Sequence, residues 1–138
     1  METVTSKIDP VYVANIEEET KKNVFYRDVR PELTTRDTQT VFMSLPVGEP
    51  GHIPGELHEK TEQIFRVETG AIKVVYDHNR STYTVKAGGY ITIPRNQWHE
   101  IFSLGDESGN PTKLYTIYTP PVHPRGRRQL HRPKNDSD

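Results

Sequence analysis

Hydrophobic and polar residues alternate along most of this chain in short segments that begin near residue 24. Segments of this kind, rich in β-branched and aromatic residues, are typical of strands that bury one face. The predicted strands cover residues 24–27, 40–45, 63–68, 71–76, 82–86, 90–94, 99–103 and 113–119. Turn residues at 77–80 and 88–89 separate neighbouring strands, so the pattern predicts an all-β barrel or sandwich.

A short helix is predicted ahead of the first strand. Asn15 is placed to cap it, and Glu18 follows three residues later as in a capping box. Glu17 and Glu18 stand four residues before Lys21 and Lys22, a spacing that favours two ion pairs along one helix face. We therefore expect a short, mostly polar N-terminal helix that ends near Lys22.

The length of 138 residues suits one domain and is too short for two. We divide the chain into an N-terminal extension at residues 1–13, a barrel domain at residues 14–120 and a C-terminal tail at residues 121–138. The tail is rich in proline and arginine and ends in aspartates, so we expect it to be solvated.

Composition excludes several classes of function. The net charge of −1, from 18 basic and 19 acidic residues, provides no field that would attract nucleic acid or an anionic membrane. The absence of cysteine excludes disulfides, cysteine-ligated zinc, iron–sulfur clusters and thiol nucleophiles. No segment has the apolar length of a signal peptide or a membrane span, and we expect a cytoplasmic protein.

Candidate metal ligands follow a crowded stretch of prolines and glycines at residues 46–55, which predicts a loop. Glu56 and His58 are two residues apart, so on a strand their side chains leave the same face. Gln63 and His99 can join them if the strands fold over one another. Two imidazoles, a carboxylate and an amide oxygen suit one divalent transition metal per chain, namely Zn, Fe, Mn, Ni or Co.

Two segments that carry these residues resemble the paired cupin motifs, G-x5-H-x-H-x3,4-E-x6-G and G-x5-P-x-G-x2-H-x3-N. This sequence reads Glu56-x-His58-x4-Gln63-x6-Gly70 and Gly88-x5-Pro94-x-Asn96-x2-His99. Glu56 stands at the first histidine position, Gln63 at the glutamate position, and Asn96 and Ser103 at the second motif's internal glycine and final asparagine. The flanking segments are similar to small single-domain cupins described as mannose-6-phosphate-isomerase-like.

The resemblance implies a cupin-type double-stranded β-helix, or jelly-roll barrel, with residues 14–120 as the cupin domain. It also implies a homodimer. Glutamine at the position of Gln63 is similar to cupins that open the rings of unsaturated uronic acids.

The ligand set has one anionic group, so a divalent ion held by it stays a good Lewis acid. This favours isomerase or lyase chemistry on a small oxygenated substrate such as a sugar, a uronate or a hydroxy carbonyl. One alternative is a non-haem Fe(II) dioxygenase, because two histidines and one carboxylate resemble that iron triad. Another alternative is a cupin that binds a small molecule without catalysis.

The sequence offers candidates for substrate contacts but no clear catalytic acid or base. His52 lies in the predicted loop at the barrel mouth, and Arg66 and Tyr115 lie in predicted strands. We predict that these three residues contact the substrate.

Overall fold

A computed structural model describes residues 11–78, 80–134 and 136. Residues 1–10 of the predicted N-terminal extension and Asn79 of the predicted turn at 77–80 lie outside the described residues. The predicted helix is confirmed as α1, Ile16–Lys22, where the Asn15 side chain accepts a hydrogen bond of 3.0 Å from the Glu18 N–H. No helix in the described part of the chain has the length and apolar character needed to cross a membrane.

Ten strands follow α1 and form two antiparallel sheets. The strands are β1 Arg27–Thr34, β2 Gln39–Leu45, β3 Ile53–Glu56, β4 Glu62–Thr69, β5 Ala71–Tyr76, β6 Ser81–Lys86, β7 Tyr90–Ile93, β8 His99–Ser103, β9 Thr112–Thr119 and β10 Arg128–Gln129. One sheet has the order β10-β1-β2-β9-β4-β7, and the other has the order β3-β8-β5-β6. The predicted all-β fold is confirmed.

The core lies between the two sheets because alternate strand residues point inward. In β4 the buried positions are Gln63, Phe65 and Val67, and in β8 they are His99, Ile101 and Ser103. The core between the sheets is mainly apolar, and such burial supplies the main driving force for folding. Polar groups at inward positions therefore stand out, and they define the site described below.

Two strands were not predicted and one was predicted too early. The stretch at 46–55 was predicted as a loop, yet Ile53–Glu56 forms the edge strand β3 and pairs with β8. Edge strands accept proline where their N–H groups would face solvent, which explains Pro54 within β3. β1 begins at Arg27, not at residue 24. The prediction was wrong here because charged residues and Pro31 interrupt the hydrophobic alternation of β1.

Several described residues of the C-terminal tail are packed against the barrel, and for them the prediction of a solvated tail is corrected. β10 pairs with β1, and Arg132 Nε donates a hydrogen bond of 2.7 Å to the carbonyl of His52. Arg27 and Asp136 form an ion pair of 2.8 Å between side chains that are 1% and 0% exposed. Burial opposes the charge on Arg27, but the hydrogen bond and attraction of Asp136 hold the pKa of its guanidinium above the ordinary value.

Candidate metal centre

Glu56 and His58 meet His99 at one end of the smaller sheet. Glu56 is the last residue of β3 and lies opposite His99 in the pairing with β8. The Glu56 Oε1 atom is 3.7 Å from His58 Nε2, and the His58 and His99 ring centroids are 5.7 Å apart. The structure therefore brings together three of the four predicted ligands, all within a few ångströms of one another.

The turn before β8 joins the two motif segments. Asn96 has a φ of 67°, in the left-handed region that only glycine and asparagine adopt readily. Its N–H donates a hydrogen bond of 2.8 Å to the carbonyl of His58. This conformation explains why asparagine can replace the glycine of the second motif without changing the turn.

His99 is oriented by its own turn. Its ring is 1% exposed, and Nδ1 lies 3.1 Å from the backbone carbonyl of Gln97. Because a carbonyl only accepts hydrogen bonds, Nδ1 is the donor in this contact, and Nε2 is the ring nitrogen that would bind a metal. A histidine that binds a metal is usually held by such a contact to its other nitrogen.

Gln63 faces the same interior from the larger sheet. It is 1% exposed, and its Nε2 donates a hydrogen bond of 2.9 Å to Thr116 Oγ1. This contact turns the amide oxygen, the atom that binds metals, away from Thr116. Gln63 lies opposite Tyr118 in the β4–β9 pair, and the Tyr118 and His58 ring centroids are 6.0 Å apart.

The donor types fit a divalent transition metal, since imidazole nitrogens and oxygen ligands suit zinc, iron, manganese, nickel and cobalt. Among the residues that the structure describes, no three histidine, cysteine, aspartate or glutamate side chains are grouped tightly enough to hold an ion by themselves. The fit therefore depends on Gln63 as well, and metal binding stays a prediction.

The three predicted substrate contacts lie away from this interior. Arg66 and Tyr115 are opposite each other in the β4–β9 pair, at positions that alternate with the inward residues. His52 Nε2 lies 2.6 Å from Glu100 Oε2, on the face of β8 opposite His99. Alternate residues of a strand point to opposite faces, so none of these three side chains is directed toward the predicted ligands.

Sequence reasoning missed two polar residues of the interior. Tyr118 is fully buried, and its hydroxyl lies 3.3 Å from His123 Nε2. His123 was assigned to a solvated tail, but it is buried with its ring 5.2 Å from that of Tyr118. Alternation along β9 could have selected Tyr118 in place of Tyr115, because Thr116 and Tyr118 share one face.

Comparisons with known proteins agree with this fold. The cupin domain family model matches residues 41–118. The protein L612 of Acanthamoeba polyphaga mimivirus is 37% identical over 131 residues, covering 94% of this chain and 78% of L612. YrkC of Bacillus subtilis (strain 168) is 34% identical over 130 residues, covering 91% of this chain and 65% of YrkC, so this chain spans just under two thirds of that relative.

Solved structures show the same architecture. BH2720 from Bacillus halodurans superimposes with a TM-score of 0.79 at 34% identity, covering 88% of this chain and 89% of that protein. KdgF from Halomonas sp. superimposes with a TM-score of 0.59 at 18% identity, over 70% of this chain and 80% of KdgF, which supports the fold alone. The resemblance carried by the two motifs is thereby confirmed, and this chain belongs to the cupin domain family.

Proposed function

We propose that this cupin binds one divalent transition metal per chain through Glu56, His58, Gln63 and His99 and acts on a small oxygenated substrate. The observation that carries the proposal is the orientation of His99. Its Nδ1 lies 3.1 Å from the Gln97 carbonyl, and this contact fixes the ring with Nε2 as the remaining nitrogen, beside His58 and Glu56. A buried imidazole held in this way is well suited to bind a metal.

Isomerase or lyase chemistry is the reaction type that these residues favour. When bound, a divalent metal supplies a Lewis acid that polarises a carbonyl or hydroxyl oxygen. Gln63 is a neutral ligand, so Glu56 is the single anionic group in the set and does little to weaken that acidity. Sugars, uronates and hydroxy carbonyls carry the neighbouring oxygens that such a site would take.

Tyr118 and His123 supply polar groups beside the proposed ligands. The Tyr118 hydroxyl is 3.3 Å from His123 Nε2, and the Tyr118 ring stands edge-on to His58. A phenol held between a histidine and the site can donate a hydrogen bond to a substrate oxygen and orient it. The two side chains come from β9 and from the tail that follows it, so packing of the tail is part of this function.

An Fe(II) dioxygenase is the second candidate. Glu56, His58 and His99 supply the two histidines and one carboxylate of a non-haem iron triad, although these three side chains would have to move closer together to hold an ion without Gln63. Which candidate holds depends on the metal and on whether molecular oxygen is consumed.

The test uses the full chain loaded separately with zinc, manganese and iron. Hydroxyacetone, glyceraldehyde and glucuronate are incubated with it in D2O, and NMR follows exchange of the hydrogen on the carbon next to the carbonyl. We expect exchange with zinc or manganese, its loss in His58→Ala, and no loss in His131→Ala, which changes an exposed histidine. Oxygen uptake with iron alone would instead support the dioxygenase, and metal binding without either activity would support a binding cupin.

A further inference from the structure

A cleft opens between β6 and β7, which are the edge strands of the two sheets. It encloses about 570 Å³, a volume typical of small-molecule sites. Its walls include four aliphatic and three aromatic side chains, namely Val74, Val85, Ile91, Ile93, Tyr76, Tyr83 and Tyr90. None of the described residues that line the cleft carries a charge.

Residues that line the cleft are neighbours of two proposed ligands. Tyr76 lies opposite His99 in the β5–β8 pair, and Ile93 lies opposite Gln63 in the β4–β7 pair. Gln97 lines the cleft, and its carbonyl accepts the hydrogen bond from His99 Nδ1. Directly opposite residues share a face of the sheet, so Tyr76 and Ile93 of the cleft wall stand beside His99 and Gln63.

The outer part of the cleft presents a flat aromatic wall. The Tyr76 and Tyr83 rings are stacked, with centroids 5.5 Å apart and an angle of 14° between their planes. Tyr83 is 50% exposed although it lies opposite the buried Val74, so its ring stands at the opening. A hydrogen bond and charge interaction with Tyr76 raise the pKa of the Tyr83 phenol, which stays neutral.

We propose that the substrate is an uncharged molecule that joins a flat aromatic part to neighbouring hydroxyl and carbonyl oxygens. The aromatic part would lie in the cleft against Tyr83 and Ile91, and the oxygens would face the ligands. This proposal rests on the proposed function, because it names the substrate class of the same site. An apolar lining favours an aromatic ring, whereas a carboxylate or phosphate would lose its hydration there without a cationic partner. Uronates and sugar phosphates are therefore disfavoured.

The experiment compares three probes by calorimetry on the zinc-loaded full chain. 2-Hydroxy-1-phenylethanone carries the ring and the hydroxy ketone, hydroxyacetone carries the hydroxy ketone alone, and glucuronate is anionic. We expect the aromatic probe to bind at least about tenfold more tightly than either of the others. Equal or tighter binding of hydroxyacetone or glucuronate would overturn the proposal.

Variants of Tyr83 locate the binding. Tyr83→Ser should weaken binding of the aromatic probe about three- to tenfold and leave the affinity for hydroxyacetone unchanged. Tyr83→Phe keeps the flat ring and should bind both probes as the native chain does. An unchanged affinity for the aromatic probe in Tyr83→Ser would overturn the proposal. The proposal would also be overturned if Tyr83→Ser abolished a dimer of the native chain without changing the affinity for the probe, since the cleft would then be a contact between two copies.

Failure of the proposed function has a different signature. Acetophenone has the aromatic ketone but lacks the second oxygen, so it should bind the metal-free chain through the cleft and lose affinity in Tyr83→Ser. If the chain takes up no metal while acetophenone still binds in this way, the metal function fails and the assignment of the cleft stands. If metal binds and acetophenone does not, the assignment of the cleft fails alone.

Discussion

Removal of one partner from the buried ion pair Arg27–Asp136 is expected to destabilise the fold strongly. The two charged atoms are 2.8 Å apart and their side chains are 1% and 0% exposed. Arg27 also donates a hydrogen bond of 2.7 Å to Gln129, and Tyr26 donates one of 2.5 Å to Asp136. The pair therefore joins β1 to β10 and to the end of the described chain.

The magnitude follows from the burial. Asp136→Asn keeps the size of the side chain but leaves the Arg27 guanidinium buried without its counter-charge, and such a loss typically costs about 3–5 kcal/mol. Replacing both residues, with Arg27→Met and Asp136→Leu together, removes both charges and should recover most of that free energy of unfolding. Glu17→Gln breaks an exposed ion pair, in which the Glu17 and Lys21 side chains are 61% and 45% exposed, and should leave the free energy of unfolding nearly unchanged.

The assay is urea unfolding followed by circular dichroism, with all variants at one pH and ionic strength. The expected order of stability is native chain and Glu17→Gln first, the double variant next, and Asp136→Asn last. A loss below about 1 kcal/mol in Asp136→Asn would refute the reasoning. It would mean that the end of the tail contributes little to the stability of the barrel.

Substitutions at three further positions test local parts of the site. Asn96→Gly should change the free energy of unfolding by less than about 0.5 kcal/mol, and Asn96→Val should cost about 1–2 kcal/mol because φ is 67°; equal stabilities in urea unfolding would contradict the left-handed turn. Gly55→Ala should cost about 1–3 kcal/mol, because the added Cβ would lie 2.1 Å from Cζ2 of Trp98; a neutral result in the same assay would mean that Trp98 moves aside freely. Thr116→Val removes the hydroxyl that orients the Gln63 amide and should weaken metal affinity about 10–100-fold; unchanged affinity in a competition titration would argue against Gln63 as a ligand.

The parts of the fold that could be predicted from the sequence depend on neighbouring residues. Asn15 and Glu18 sufficed to place α1, and the bounds of β5 and β8 match the predicted ranges because alternation is regular there. The motifs also predicted that Glu56, His58 and His99 lie near one another, although β3 ends at Glu56 and His58 therefore does not share a strand with it as predicted. The motifs succeed because each short segment is held by its own turn, as at Asn96.

The parts that could not be predicted depend on contacts between distant segments. β10 is only two residues long and forms by pairing with β1, about 100 residues earlier in the sequence, so local pattern carries no signal for it. From the sequence alone Arg27 would be assigned to the surface, whereas its side chain is buried in an ion pair with Asp136. Arg66 and Tyr115 were chosen by residue type alone, and the register of β4 with β9 turns both of them outward.

His123 shows why the tail matters to the site. Its ring contacts Tyr118, and the Gln39 side chain accepts hydrogen bonds from the His123 N–H and donates one to the His123 carbonyl. A residue assigned to the tail from composition is therefore fixed against β2 and β9. Proline and arginine content describes how a segment behaves alone, whereas buried hydrogen bonds decide its place in the folded chain.

Metal content is the measurement that tests the central claim most directly. The native chain, His99→Ala and His131→Ala are reconstituted separately with zinc and with Fe(II), unbound metal is removed, and bound metal is measured by mass spectrometry against protein concentration. The proposal predicts one ion per chain in the native protein and in His131→Ala, and its loss in His99→Ala with the folded circular dichroism spectrum retained. Metal retained in His99→Ala, or none bound by the native chain, would contradict the proposed metal centre.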